Sequence, residues 1–294
     1  MIIRNKKEFI KLIKSFNIKT KFIVIKPNWI DIKKGNYTEP EILEWLFEAL
    51  PQKKIVIESY TPWRGKEYQE GELGVNLEDG KKFWDFYKEM DKEYLKKTGI
   101  GTVLKRFNVS YINITNEYWA KRIIKSSIIK RLVENKYEKL YWTEFYSFVP
   151  EKLYKIREDA TLISLAKIKI EEENKEIMVS LSSKNIFGLI PHPSRQEPYH
   201  RDNHSLIPQA ILDINKVYMS VFEKNLWINE GIKSMVKHYC QDNQSYEKNK
   251  GIVFIGDNPA KTDIETCKDM GIKPESVPYL VLFKNEFCRH FFNK

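Results

Sequence analysis

Short apolar runs alternate with stretches of helical spacing along the first part of the chain. "KFIVIKPNW" (residues 21–29) is rich in β-branched residues and stops at a proline, the pattern of a buried strand that ends in a loop. Residues 37–51 then place apolar side chains on one helical face, and "KKIVIESY" (residues 53–60) supplies a second buried run. Strand, helix and strand in this order predict parallel pairing through a right-handed crossover, with both strands ending at one edge of a sheet.

The second half of the chain continues the pattern with one interruption. Residues 160–170 and 175–185 are apolar runs whose short polar separation favours a hairpin. Residues 205–219 have helical spacing, and residues 251–271 again read as a buried strand followed by a helix. The predicted fold is therefore α/β, with a mostly parallel central sheet, helices on both faces and an antiparallel excursion in the second half.

The 294 residues are enough to bury a large core, and we expect one domain over residues 1–294. Residues 61–116 break the alternation with loop glycines around a helical stretch, so we expect an insertion or cap over the sheet. The N-terminus interleaves lysines with apolar residues and predicts an amphipathic helix rather than a secretory signal. The most continuous apolar run, residues 277–283, is far shorter than the roughly 18 residues of a membrane span. We therefore expect a cytoplasmic protein without a membrane span.

Composition narrows the partners and cofactors. Cys240, Cys267 and Cys288 lie far apart with no CxxC pair, so no disulfide framework, iron–sulfur cluster or cysteine zinc site is encoded locally. The formal net charge of +10 is compatible with a nucleic-acid partner, although the lysines are scattered among glutamates as on a solvated surface. A basic field also attracts a small anion. The common dinucleotide, P-loop, hydrolase and metalloprotease motifs do not occur, so the cofactor stays unassigned.

Ligands in α/β sheets usually bind where strands end and helices begin. Lys26 and Asn28 flank Pro27 at the end of the first strand, and the proline ring restrains where the two side chains point. They can grip a carboxylate or a phosphate. The alternative is that Lys26 is solvated and Asn28 caps a turn.

Two lysines close the run at residues 160–170. Lys167 and Lys169 share one face of a strand. We expect Lys169 to face solvent. Lys167 follows apolar neighbours, which can lower the pKa of an amine, and it is a candidate base or ligand-binding residue.

The richest segment follows the run at residues 175–185. Lys184 and Asn185 precede "IFGLIP", and Arg195 is suited to bind an anion through two parallel hydrogen bonds. Lys184, His192 and His200 are the candidates for moving a proton. The histidine spacing in this segment matches no standard zinc signature, so a metal is left open.

Two aspartates bracket the start of the last predicted helix. Asp257 is placed to cap that helix, where a carboxylate satisfies free amides and the helix dipole. The functional alternative is that Asp257 and Asp263 orient a lysine or histidine of the other segments, or bind Mg²⁺.

Four segments, taken in order, resemble the DUF362 family of bacteria and archaea over most of the chain: "IKPNW", "ISLAKIK", "VSLSSKNIFGLIPHPSRQEPYH" and "IGDNPAKTDIETCKDMGI". The family's last segment reads as an acid, a small residue and a second acid, which here correspond to Asp257, Ala260 and Asp263. Many members carry a ferredoxin-like iron–sulfur module, whose cysteines this chain lacks. The resemblance implies the fold and the location of the site.

The expected function is that of an enzyme acting on a small anionic metabolite, with proton transfer by a lysine or histidine. The residues expected to bind the metabolite are Lys26, Asn28, Lys167, Asn185, Arg195, Asp257 and Asp263. The alternatives are a nucleic-acid-binding module, whose aromatic side chains stack on bases, and a redox partner of a separate iron–sulfur protein.

Overall fold

Ten strands are present in the part of the chain that the computed structural model describes, which is residues 1–33, 35–61, 64, 81–171, 175–195, 199, 205–237, 245–248 and 251–287. They are β1 (Phe22–Pro27), β2 (Lys53–Glu58), β3 (Ser110–Asn113), β4 (Ala160–Lys167), β5 (Lys169–Glu171), β6 (Met178–Ser180), β7 (Lys224–Gly231), β8 (Ser234–Lys237), β9 (Ser245–Lys248) and β10 (Ile252–Gly256).

Six of these strands form the central sheet, in the order β10-β7-β4-β1-β2-β3. β1 pairs in parallel with both β2 and β4, β2 pairs in parallel with β3, and β4 pairs in parallel with β7. β10 is antiparallel to β7. The predicted α/β class and the strand–helix–strand opening are confirmed.

The described residues also contain eleven α-helices. They are α1 (Lys6–Ser15), α2 (Pro40–Ala49), α3 (Trp84–Lys97), α4 (Ile100–Arg106), α5 (Ile114–Trp119), α6 (Ser126–Glu134), α7 (Glu151–Ile156), α8 (Ser182–Phe187), α9 (Ile207–Val221), α10 (Pro259–Asp269) and α11 (Pro278–Phe287).

The sheet is covered on both faces because side chains alternate along its buried strands. In β1, Ile23 and Ile25 point into a core shared with α1, α2 and α4, whereas Val24 points into a core shared with α6, α9 and α11. In β4, Ile163 points into the first of these cores and Leu162 into the second. Both cores therefore meet the central strands, and strands buried on both faces read as continuous apolar runs.

Local chemistry sets the start of the first two helices. The side-chain oxygen of Asn5 accepts a hydrogen bond at 3.0 Å from the backbone nitrogen of Glu8, which satisfies one free amide of α1. Pro40 opens α2, where a missing N–H removes no helical hydrogen bond. The predicted amphipathic first helix is confirmed, as is the helix that follows β1.

The interval 61–116 contributes to the central sheet as well as to its surroundings. Residues 62, 63 and 65–80 lie outside the described residues. The predicted helical stretch is α3, and it packs on α4. β3 lies at the edge of the central sheet beside β2, so the sheet extends into this interval.

A second, four-stranded sheet has the order β6-β5-β8-β9. β5 and β6 are antiparallel, which confirms the predicted hairpin. The apolar run at residues 160–170, however, forms two strands, because the chain leaves the central sheet at Ile168 and Lys169 opens β5. Lys167 and Lys169 consequently lie in different sheets.

Helices long and apolar enough to cross a membrane do not occur in the described residues.

Candidate functional site

A cleft lies where β1 and β2 end, beneath α8. Its cavity volume is about 90 Å³, and the cleft opens to solvent. Its polar walls include Lys26, Asn28, Glu58, Lys184, Asn185 and Arg195. Parallel strands bring these chain-distant side chains together because the carboxyl ends of β1 and β2 share one edge, and β6 delivers α8 over that edge.

The ammonium group of Lys26 is held by three acceptors on the cleft wall. Its Nζ lies 2.6 Å from Glu58 Oε1, 2.7 Å from the carbonyl oxygen of Pro27 and 3.2 Å from Asn185 Oδ1. Lys26 is 2 % exposed, and the three acceptors match the three N–H donors of its buried ammonium group. Gly188 makes the arrangement possible, because a Cβ at that position would lie 2.9 Å from Lys26 Nζ.

Glu58 in turn links Lys26 to a second buried cation. Glu58 Oε2 accepts a hydrogen bond from Arg64 Nη2 at 3.0 Å, and Arg64 Nη1 donates to Asp91 Oδ1 at 2.6 Å. Arg64 also donates to the backbone carbonyl of Trp29 through Nε and Nη2, at 2.9 and 2.7 Å. Each of these buried charges lies beside an opposite charge, and the network holds Glu58 and Trp29, which line the cleft, in place.

The amide of Asn185 joins α8 to β1. Asn185 Nδ2 donates to the carbonyl oxygen of Lys26 at 2.8 Å and to Ser164 Oγ at 3.1 Å. Its Oδ1 therefore faces Lys26 Nζ and also accepts from Asn28 Nδ2 at 3.4 Å. Lys26, Asn28 and Asn185 act as one hydrogen-bonded unit in the wall of the cleft.

Burial lowers the basicity of several cations in this cleft. It lowers the pKa of Lys26 to about 8, with help from Arg195 and Arg64 and against the opposing effect of Glu58. Burial and the neighbouring Lys184 lower the pKa of Lys169 to about 8. Burial also lowers the pKa of Arg195 to about 10. These groups are less basic than usual because water does not stabilise their charges.

Lys184 lies within α8, whereas Arg195 lies beyond the C-terminal end of this helix. Lys184 Nζ pairs with Glu171 Oε1 at 3.0 Å, and its side chain is 16 % exposed. Arg195 Nη1 donates to the carbonyl oxygen of Gly188 at 3.2 Å. Both side chains line the cleft, as does Lys169.

Asp263 lies behind the cleft and does not line it. Its carboxylate accepts hydrogen bonds from Ser182 Oγ at 2.5 Å, from the backbone nitrogen of Ser183 at 3.0 Å and from Asn229 Nδ2 at 2.8 Å. Asp263 therefore holds the first turn of α8 in place, and this helix carries Lys184 and Asn185. Burial raises the pKa of Asp263 against the lowering effect of these hydrogen bonds.

Lys167 is sealed between two carboxylates instead of lining the cleft. Its Nζ lies 2.5 Å from Glu39 Oε2 and 2.8 Å from Glu230 Oε1. Burial by itself would lower the pKa of Lys167, but the two carboxylates outweigh it and raise the pKa. The expectation that Lys167 is a base with a lowered pKa is therefore wrong. Its partners are Glu39, which directly precedes α2, and Glu230, which lies in β7.

His192 lies in an aromatic cluster beside the cleft. Its ring centroid is 4.6 Å from that of Tyr87 and 6.4 Å from that of Trp119, and both ring nitrogens lack a hydrogen-bond partner among the described residues. Burial, followed by the charge of Arg195, lowers the pKa of His192 to about 3. The imidazole is thus neutral near pH 7 and does not line the cleft. His200 lies outside the described residues.

Asp257 is at the other end of the sheet. β10 runs antiparallel to β7, with Gly256 opposite Trp227, so the residue after β10 emerges beside the amino ends of the parallel strands. There Asp257 borders a surface depression with Lys224 and Asn225. Asp257 and Asp263 are therefore not at a common site, and the described residues contain no group of three or more histidine, cysteine or acidic side chains arranged to hold a metal.

Three residues of the site were not anticipated from the sequence. Lys169 was expected to face solvent, which is wrong, because it is 1 % exposed and lines the cleft. Glu58 carried a usable signal, since an acidic residue ends a buried strand at the same edge as Lys26. Arg64 had no local signal, because its role depends on contacts with Glu58 and with α3.

One protein family matches most of the chain. The model of the family described as "Domain of unknown function (DUF362)" matches residues 23–268, which confirms the resemblance noted in the sequence. No curated protein and no solved structure matches the chain. Because the family match covers most of the chain and takes in every described residue that lines the cleft, the protein belongs to the DUF362 family.

Proposed function

We propose that this protein is an enzyme that binds a small anionic metabolite, a carboxylate or a phosphate, in the cleft at the end of β1 and moves a proton to or from it. The observation that carries this proposal is the charge of the walls. Among the described residues, four cationic side chains, Lys26, Lys169, Lys184 and Arg195, line the cleft against the one carboxylate of Glu58.

A bound anion would offset the burial of these cations. Lys26 and Arg64 already share Glu58, and Lys184 has Glu171, so part of the positive charge is balanced by the protein. Arg195 adds a planar guanidinium, whose paired N–H groups fit a carboxylate or phosphate. In a cleft partly shielded from water, such groups stabilise negative charge better than solvent does.

The lowered pKa values support a proton transfer. General acid–base catalysis works best when the pKa of the catalytic group lies near the working pH. Lys26 and Lys169 both have a pKa of about 8. Three acceptors hold the amine of Lys26 in place, so Lys169 is the preferred proton carrier. Lys184 is the second candidate because it lines the same cleft. Abstraction of a proton beside a carboxylate suits this set, because the cations can stabilise the enolate.

The two alternative functions have less support. A module that binds nucleic acid needs a continuous basic face, whereas the converging cations here are buried in a small cleft. A redox role would come from a separate iron–sulfur protein, and no cleft contact given above for the described residues favours it.

A thermal-shift screen tests the binding step. Phosphate, propionate or succinate at millimolar concentration is expected to raise the melting temperature relative to chloride at equal ionic strength, because a ligand of the folded state stabilises it. Arg195→Met should abolish the shift. Arg4→Met, the same change at an exposed position, should keep it.

The proton-transfer step has its own readout on the same proteins. A stabilising carboxylate is incubated with the protein in D₂O, and exchange of its Cα proton is followed by proton NMR. We expect the unaltered protein to catalyse this exchange and Lys169→Met to abolish it. Equal shifts in all ions and in both arginine variants would rule out the cleft as an anion site, and binding without exchange would rule out the proton transfer.

Anion affinity is expected to fall as the pH rises above 8. Lys26 and Lys169, each with a pKa of about 8 in the free protein, lose protons in this range. A bound anion favours the ammonium forms and raises both pKa values, so binding takes up protons above pH 8 and none well below it. For each proton that binding takes up, the affinity falls by up to about tenfold for every unit by which the pH rises.

Calorimetric titration with propionate, which stays ionised throughout, measures this dependence between pH 7 and pH 9.5. Lys169→Met should reduce the slope by about one proton. Lys130→Met, at an exposed position on α6, should leave the slope unchanged. Equal affinity at both ends of the range in the unaltered protein would contradict the assignment.

A further inference from the structure

Lys169 stands on the face of the β5–β6 hairpin that forms one wall of the cleft. It lies directly opposite Ser180 across the two antiparallel strands, so both side chains point to the same face, and both residues line the cleft. Glu171, two positions further along β5, points to that face as well. The pleat of the hairpin therefore directs the side chain of Lys169 to the cleft, although the residue is only 1 % exposed.

A second lysine lies over the same face of the hairpin. Lys184 Nζ is 3.0 Å from Glu171 Oε1 and 3.5 Å from Ser180 Oγ. These contacts hold its ammonium group next to the side chain of Lys169. Burial first, and then the charge of Lys184, lower the pKa of Lys169 to about 8. Glu171 and Asp31 oppose this shift without cancelling it.

A lysine in this setting is suited to nucleophilic attack. An amine attacks only in its neutral form, and both removal from water and a neighbouring cation favour that form. The cleft also supplies an anchor for an acid, because Arg195 and Lys26 line it together with Lys169. Since the cavity volume is only about 90 Å³, a ligand whose carboxylate these cations hold keeps its remaining atoms close to the amine.

Resting on the proposed anion site, we infer that the ligand class is a small oxo acid and that Lys169 forms an imine with its carbonyl carbon. The Nζ electron pair forms a bond to this carbon, the carbonyl π bond breaks, and one Nζ proton moves to the oxygen. The resulting hydroxyl group leaves with the second Nζ proton as water, and the C=N bond forms. The neutral amine that this step needs is the same form of Lys169 that accepts a proton from a ligand without a carbonyl group, so the inference deepens the proposed function.

Reductive trapping tests the imine on the full chain. The protein is incubated with glyoxylate or pyruvate and with sodium cyanoborohydride, which reduces an imine to a stable secondary amine, and its peptides are mapped by mass spectrometry. The peptide that contains Lys169 should gain the mass of the neutral acid less one oxygen atom. We expect this labelling to be at least about tenfold faster than that of the exposed Lys130 on α6, because the lowered pKa and the bound carboxylate both favour Lys169.

Three further measurements link the labelling to the cleft. Propionate has no carbonyl group and should slow the labelling of Lys169 by competing for the anion site, while Lys130 reacts at its former rate. Acetaldehyde has no carboxylate and should show a smaller preference for Lys169. Arg195→Met should reduce the preference of pyruvate for Lys169, because the variant lacks part of the anchor.

The outcomes separate this inference from the proposed function. If glyoxylate and pyruvate label Lys169 no faster than Lys130, or if propionate at a concentration that raises the melting temperature does not slow the labelling, the imine inference is overturned. The anion site is judged independently by the thermal shift with propionate and phosphate, which form no imine. If neither these anions nor the oxo acids raise the melting temperature of the unaltered protein, both are overturned.

Discussion

Glu58→Gln is expected to lower the free energy of unfolding by about 3 to 5 kcal/mol. Glu58 accepts hydrogen bonds from Lys26 at 2.6 Å and from Arg64 at 3.0 Å, and the side chains of all three residues are at most 2 % exposed. Glutamine keeps the size but loses the charge, so two buried cations face each other without their shared carboxylate. Arg64 retains Asp91, whereas Lys26 retains only neutral acceptors.

Urea unfolding followed by circular dichroism measures the loss. Glu48→Gln is the matched control, because Glu48 pairs with Lys6 at the same 2.6 Å but with side chains 35 % and 43 % exposed. That surface pair should contribute no more than about 1 kcal/mol. In the double variant Lys26→Met/Glu58→Gln, part of the lost stability should return, because one unpaired charge is gone. Similar small losses for the two single variants would show that the buried network does not stabilise the fold.

Asp263→Asn is expected to lower the free energy of unfolding by about 2 to 3 kcal/mol. The carboxylate accepts three buried hydrogen bonds, from Ser182, Ser183 and Asn229. Asparagine provides one acceptor atom and turns a donor toward groups that are donors themselves. The first turn of α8 then loses its anchor, and anion binding in the cleft should weaken together with stability, because α8 carries Lys184 and Asn185.

Asp269→Asn is the matched control for this change. Asp269 is exposed on the same helix, α10, and its substitution should alter stability by less than about 0.5 kcal/mol. Urea unfolding compares the two variants, and the thermal-shift screen reports on the cleft. If Asp263→Asn unfolds at the same urea concentration as the control, the contact between α10 and α8 does not position the cleft.

Much of the architecture could be predicted because its causes are local. The apolar run that ends at Pro27 and the one that ends at Glu58 predict strands, and the helix between them predicts parallel pairing. That reasoning led to the shared edge at which Lys26 and Asn28 lie. It also drew attention to residues 184–195, and the structure brings Lys184, Asn185 and Arg195 to the same cleft.

The same reasoning was misleading where direction or partners mattered. Asp257 follows a buried strand just as Asn28 does, but β10 runs in the opposite direction and delivers Asp257 to the opposite edge of the sheet. Lys167 and Lys169 look alike in sequence, yet a change of sheet at Ile168 sends one between two carboxylates and the other into the cleft. Neither the position of Asp257 nor the difference between the two lysines can be predicted from the local sequence pattern.

The order of apolar and polar residues thus determined the class of fold, the sheet edge and most of the side chains that reach it, because strand and helix periodicity is a property of neighbouring residues. Tertiary structure alone decided which charged side chains are paired and which lysines have a lowered pKa. Lys26 meets Asn185 across 159 positions of the chain, and Lys167 meets Glu39 across 128. Electrostatic interactions and burial depend on such distances in space, and these distances arise only when the sheet has formed.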